Sequence, residues 1–149
     1  MILKSEASIQ IGKSTDVVYD AIVQQHHLTQ YFINESTGDL VEGQIQQWKF
    51  AEFKIRFPVS NVKLEVNKSI SFVWDPETVI TISLEPFKEG HTVVKVVEDG
   101  KELNEENMKW LVSNAGGWAN FLASLKAYLE YGVILRKGAY EFLGDEDMG

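Results

Sequence analysis

The side chains that could do chemistry in this 149-residue chain are few and scattered. There are three histidines, His26, His27 and His91. His26 and His27 are adjacent, so their side chains diverge on a helix and cannot share one metal ion. His91 opens a strand after a turn. Surface positions are expected for all three, and no metal site. The chain has no cysteine, which excludes disulfides, thiolate metal centres and cysteine nucleophiles. Carboxylates are plentiful, but most fall on turns or polar faces. Glu98 is the exception. It keeps the parity of Val94 and Val96 and so points inward near the end of a strand. A lone inward carboxylate can serve as a general base, or it can sit at a cavity rim and reach water or a lysine. The rim is the expected place, and Asn114 or Tyr128 are the only partners to be named for the base. There is no Gly-Xaa-Ser-Xaa-Gly elbow, phosphate loop or dinucleotide fingerprint, and Ser113 and Ser124 have no histidine nearby in sequence. No catalytic residue, metal ligand or cofactor is assigned.

The stronger signal is aromatic. Trp48, Phe50, Phe57, Phe72, Trp74, Trp118 and Phe121 are large apolar groups placed on strands or on one helix face. They serve either as plain core or as the walls of a ligand cavity. The residues expected to line such a cavity are Trp48, Phe50, Phe72, Trp74, Glu98, Trp118, Phe121, Leu122 and Leu125.

The element that must position them runs from about Asn107 to Tyr131. Leu111, Ala115, Trp118, Leu122, Leu125 and Leu129 recur at steps of four and three, which puts them on one face of an α-helix. Asn114, Asn120, Lys126 and Glu130 fall on the opposite, wet side. Gly116 and Gly117 lie inside the pattern, where each costs about 1 kcal/mol relative to alanine. They mark a break, a close approach of backbone, or space beside Trp118 for a ligand. At about 1.5 Å per residue the helix overhangs any single short strand, so it must cross several strands obliquely.

Almost everything before that helix reads as strand. Leu3 to Ile11 alternate between apolar and polar. Ser14 or Thr15 caps a first short helix carrying Val18, Tyr19 and Ile22 and ending near Gln24. A second short helix holds Leu28, Tyr31 and Phe32. Asn34 to Gly43 is turn-rich. Strands follow around Trp48 and Phe50, at Ile55 to Phe57, Val62 to Val66, Ile70 to Trp74, Ile80 to Leu84, and Val94 to Glu98. Pro58 marks an edge or a bulge. The short spacings imply hairpins and a mostly antiparallel sheet. The fold expected is α+β: a curved antiparallel sheet of about six or seven strands, two short helices after the first strand, and a long C-terminal helix across the concave face. Residues 1–149 make one domain. After Gly132 a tail from Val133 to Phe142 leads to Gly144-Asp145-Glu146-Asp147, and either packs back on the helix end or frays.

The totals narrow the partners. A formal net charge of −8 repels phosphate backbones and anionic membranes, so neither nucleic acid nor membrane insertion is expected. No stretch reaches the roughly 20 apolar residues of a membrane span, and the N-terminus lacks a signal-peptide core. A cytoplasmic monomer is expected.

Several stretches resemble the bacterial members of the family named for the activator of the heat-shock protein 90 ATPase, within the START-like helix-grip (SRPBCC) superfamily. They are Ser14 to Ile22, His26 to Phe32, Phe72-Val73-Trp74, and above all Gly117 to Glu130. The likeness covers about residues 2 to 132. Glu42-Gly43 stands where the family often has a glycine pair, and Glu98 where it often has a histidine. The resemblance implies the helix-grip fold. It also implies a hydrophobic small molecule (lipid, polyketide or aromatic compound) as partner, with a chaperone as the alternative and a cyclase- or hydrolase-type enzyme third. An empty closed void of about 300 Å³ would cost up to about 7 kcal/mol, so either the aromatics or a ligand must fill the hollow.

Overall fold

A computed structural model of the chain describes residues 1–143; Gly144-Asp145-Glu146-Asp147 lie outside the described residues. The chain opens with β1 (Ile2–Ile11), followed by α1 (Thr15–Val23) and α2 (Gln25–Tyr31). Six further strands come next: β2 (Glu35–Ser36), β3 (Gln46–Lys49), β4 (Phe57–Glu65), β5 (Ser69–Val73), β6 (Val79–Pro86) and β7 (Thr92–Glu102). The chain then enters α3 (Glu105–Tyr131).

All seven strands form one curved antiparallel sheet in the order β1-β7-β6-β5-β4-β3-β2. Hairpins link β3 through β7, and the first strand closes on the last. The register aligns side chains into rows across the inner face. One row reads Ala7, Val96, Ile82, Ile70; the next reads Ser5, Glu98, Ile80, Phe72. Glu98 is thus the one charged group in these two rows, and it is completely buried.

Helix α3 lies against β1 and β7. Its N-terminus is set by Asn104, whose side chain accepts the backbone N–H of Asn107 at 2.7 Å, with Glu105 and Glu106 in the first turn against the dipole. The helix therefore begins two residues ahead of the expected start at Asn107, because a cap and a charged turn carry no hydrophobic periodicity. It ends at Gly132, which adopts φ 64° and lets its own N–H and that of Val133 close on Tyr128 and Ala127. Only Trp118, Phe121, Leu122, Ser124 and Leu125 are buried on it. The stripe is dry in its second half. Around Leu111 and Ala115 it is half-buried, and Gly116 and Gly117 are exposed.

The side read as wet is not uniformly so. Asn114 and Asn120 are half-buried, and Lys126 and Glu130 pair with each other, Lys126 donating to Gln10 O of β1 and Glu130 accepting from the Gly12 N–H just beyond it. A helix seated in a curved sheet has walls on its flanks as well as a floor, so polar flanking residues meet strand ends.

Pro58 sits inside β4, opposite Gln47, ahead of the point where pairing with β5 begins at Ser60. One side of the strand is unpaired there, which is what a residue without an N–H requires. The register slips between Ser60 and Lys63, where Asn61 has φ 52°. β7 continues through Gly100. A Cβ there would lie 2.2 Å from the carbonyl oxygen of Glu77, so only glycine lets β7 run on beside the turn that enters β6.

Candidate functional site

Between sheet and helix the hollow is filled. Trp48, Phe72, Phe121, Leu122 and Leu125 are each no more than 1% exposed and form continuous core with Tyr31, Ile70 and Ile80. Trp48 meets Phe72 edge-on at 5.5 Å, and Phe32 meets Phe121 at 4.6 Å.

Open space lies at one end of the aromatic cluster, beside the exposed and half-buried first half of α3. A cleft of about 500 Å³ is lined there by Phe32, Phe50, Phe53 and Trp74, by Asn114, Gly116, Gly117 and Trp118 of α3, and by Arg136 and Tyr140 of the tail. Of the residues expected to line a cavity, Phe50, Trp74 and Trp118 line this cleft. Trp48, Phe72, Phe121, Leu122 and Leu125 do not, because they pack against one another deeper in the core. A Cβ added to Gly116 or Gly117 would meet nothing within 4 Å, so neither glycine serves close packing, and both keep the cleft wall low.

Trp74 and Trp118 are stacked with centroids 5.0 Å apart and planes 20° apart. Both indoles are pinned from behind by Glu98. Trp118 Nε1 and Asn114 Nδ2 each donate to Glu98 Oε1 at 2.9 Å. Trp74 Nε1 at 3.1 Å and Thr78 Oγ1 at 2.7 Å donate to Oε2. Three N–H donors and one hydroxyl converge on its two oxygens, an arrangement suited to the acceptor chemistry of a carboxylate. Glu98 is therefore not a rim residue reaching water or a lysine, and it has no oxygen turned to the cleft as a base would need. Its partner Asn114 was legible as a candidate; Thr78 was not. Tyr128 bonds elsewhere: its hydroxyl lies 2.6 Å from His27 Nδ1, and its ring stacks on Tyr31 at 5.1 Å. Burial of His27, with His26 beside it, lowers the His27 pKa, while Asp20 opposes the shift.

Among the described residues, the segment after Gly132 packs back on the body of the protein through Arg136 and Tyr140. Arg136 Nη2 donates to both oxygens of Glu52, at 2.7 and 2.8 Å, and its guanidinium lies over the rings of Phe50 (5.2 Å) and Tyr140 (4.7 Å). On the far side of this strap a second, more polar groove runs past Thr29, Gln30, Asn34, Lys137 and Glu141. Glu52, Arg136 and Tyr140 gave no sequence signal of a shared site, because the contact spans 84 residues of chain. Among the described residues no three His, Asp or Glu side chains gather as for a metal ion, and no helix is long and apolar enough to cross a membrane.

The model of the family described as "Activator of Hsp90 ATPase homolog 1-like protein" matches residues 13–130. Solved structures agree with that match. A protein of Staphylococcus saprophyticus is 27% identical, covers 90% of this chain and 96% of its own, and superposes with a TM-score of 0.79. The Aha1 dimer from Colwellia psychrerythraea is 25% identical over 87% of this chain and 98% of its own, at 0.74. DynU16, from the dynemicin biosynthetic locus, is 18% identical over 87% of this chain and 48% of its own, at 0.75, and is a likeness of fold alone. No curated protein matches the chain.

Proposed function

Because the chain belongs to the Activator of Hsp90 ATPase homolog 1-like family, we propose that it binds a hydrophobic small molecule, and that the site is the cleft at the first half of α3. The observation that carries this reading is the stacked Trp74–Trp118 pair at the floor of a cleft of about 500 Å³. That volume falls in the range of ligand pockets, about 300–1,000 Å³. The floor is fixed before any ligand arrives, since both indole N–H groups are held by one buried carboxylate. A fixed apolar floor spares the ordering cost of binding, so burial at about 25 cal/mol per Å² goes further towards affinity. The two glycines leave room above it.

Native mass spectrometry of the purified protein, with titrations of 1-naphthol and 1-decanol followed at the indole N–H signals, tests the proposal. Saturable shifts at Trp74 and Trp118 support it. Their absence with both probes removes it.

A second reading follows from the family's description and from the Colwellia Aha1 neighbour: a module that docks on a chaperone ATPase. It is favoured by exposed apolar side chains in the segment around β3 and β4, Ile45 at 65% and Ile55 at 70% exposure. An ATPase assay with the bacterial chaperone discriminates, because stimulation abolished by Ile55→Asp belongs to docking and not to the cleft.

A further inference from the structure

The charge around the cleft is not balanced. Among the described residues, Glu52 and Arg136 line it, and Glu98 lies directly behind its indole floor. Glu52 and Arg136 cancel, joined through both carboxylate oxygens. Glu98 has no such counterweight. Its partners are two indoles, a hydroxyl and an amide, all neutral. Among the described residues it makes no ion pair with any lysine, arginine or histidine. It is solvated by dipoles, and at zero exposure water does not screen it.

The two indoles carry that negative charge to the cleft, since they line it and both bond to Glu98. Each indole donates to an anion, which enriches the ring face that attracts cations. The same wall already holds one cation against aromatic faces: the guanidinium of Arg136, over Phe50 and Tyr140 and paired with Glu52.

We propose that the cleft selects apolar molecules carrying one positive charge, a protonated amine or quaternary ammonium on an alkyl or aromatic body. The proposal rests on the cleft being a ligand site. At an effective dielectric of about 20, with partial screening at the open mouth, the expected preference is about tenfold.

The test compares one body with three heads: decyltrimethylammonium, 1-decanol and decanoate, below their micelle concentrations, followed at the indole N–H signals of Trp74 and Trp118. The ammonium is expected to bind about tenfold tighter than the alcohol, and decanoate more weakly than the alcohol. Glu52→Gln removes a negative charge and should lower the ammonium-to-alcohol ratio. Arg136→Gln removes a positive charge and should raise it. Both variants break the same ion pair, and Arg136→Gln also gives up the packing on Phe50 and Tyr140, so alcohol affinity in each variant reads structural loosening and the ratio reads charge. Ratios near one in the parent protein, or ratios shifting together in both variants, overturn the proposal while alcohol binding keeps the cleft as a site. Ammonium shifts spread over surface amides and missing from the indoles also overturn it, being attraction to the net charge of −8 alone. No saturable shift with any of the three removes the cleft reading itself.

Discussion

Trp118 Nε1 donates to Glu98 Oε1 at 2.9 Å, and through that bond the middle of the long helix is tied to the last strand. Trp48 is as deeply buried, yet its Nε1 has no partner. The two tryptophans therefore separate packing from hydrogen bonding. Trp118→Phe removes a donor from a buried anion and should cost about 1.5–3 kcal/mol. Trp48→Phe removes only bulk and should cost about 1–2 kcal/mol less than Trp118→Phe. Urea unfolding of both variants checks the difference. Equal costs would mean that the Glu98 cluster adds nothing to stability.

Gly116 and Gly117 give a prediction with opposite signs for stability and binding. Both are in the interior of α3 with free space at the Cβ position. Alanine at either should stabilise the protein by about 0.5–1 kcal/mol through helix propensity. Gly117→Leu should in addition project into the cleft and abolish the indole shifts caused by a bound probe. Thermal melts and the naphthol titration read the two effects separately.

Arg136 should govern how firmly the strap is held. It brings its charge to a carboxylate that is 9% exposed and packs on two rings. Arg136→Ala leaves Glu52 unpaired, so the loss should be about 1–3 kcal/mol. Limited proteolysis should then cut within residues 133–143 far faster than in the parent protein, with the sheet and α3 intact. An unchanged cutting rate would show that other contacts hold the strap.

The pH dependence has two windows. His27 has its folded pKa lowered from 6.5, first by burial and then by His26. The unfolded chain then binds the proton more readily, so stability falls as pH drops below about 6.5 and through the lower folded value. Glu130 has its pKa lowered from 4.5, first by the Gly12 N–H and then by Lys126. Its contribution is present above about pH 4.5 and is lost as pH falls through its depressed folded value. His27→Gln should flatten the upper window only, and Glu130→Gln the lower only. Denaturant midpoints between pH 3 and 8 check both assignments.

Strand alternation, the two short helices and the face of α3 carrying Trp118, Leu122 and Leu125 follow from periodicity, because burial of one side leaves a mark at every second or every third and fourth residue. The inward parity of Glu98 was legible for the same reason. Periodicity says which way a side chain points and is silent on what it meets. It could not tell that Trp48, Phe72 and Phe121 would close the hollow while Phe50, Trp74 and Trp118 were left beside an opening. The alternation along β7 did not reveal that Thr78, Asn114 and two indoles would converge on Glu98, since those partners come from other elements. The junction of Arg136 with Glu52 and Phe50 depends on where the chain returns after Gly132, and no local pattern encodes that. The sequence by itself determined the order of the helices and of most strands, the buried face of the second half of α3 and the absence of thiol chemistry. Tertiary packing alone decided where the space lies and which charge stands behind it, because volume and electrostatic field are set by residues far apart in the chain.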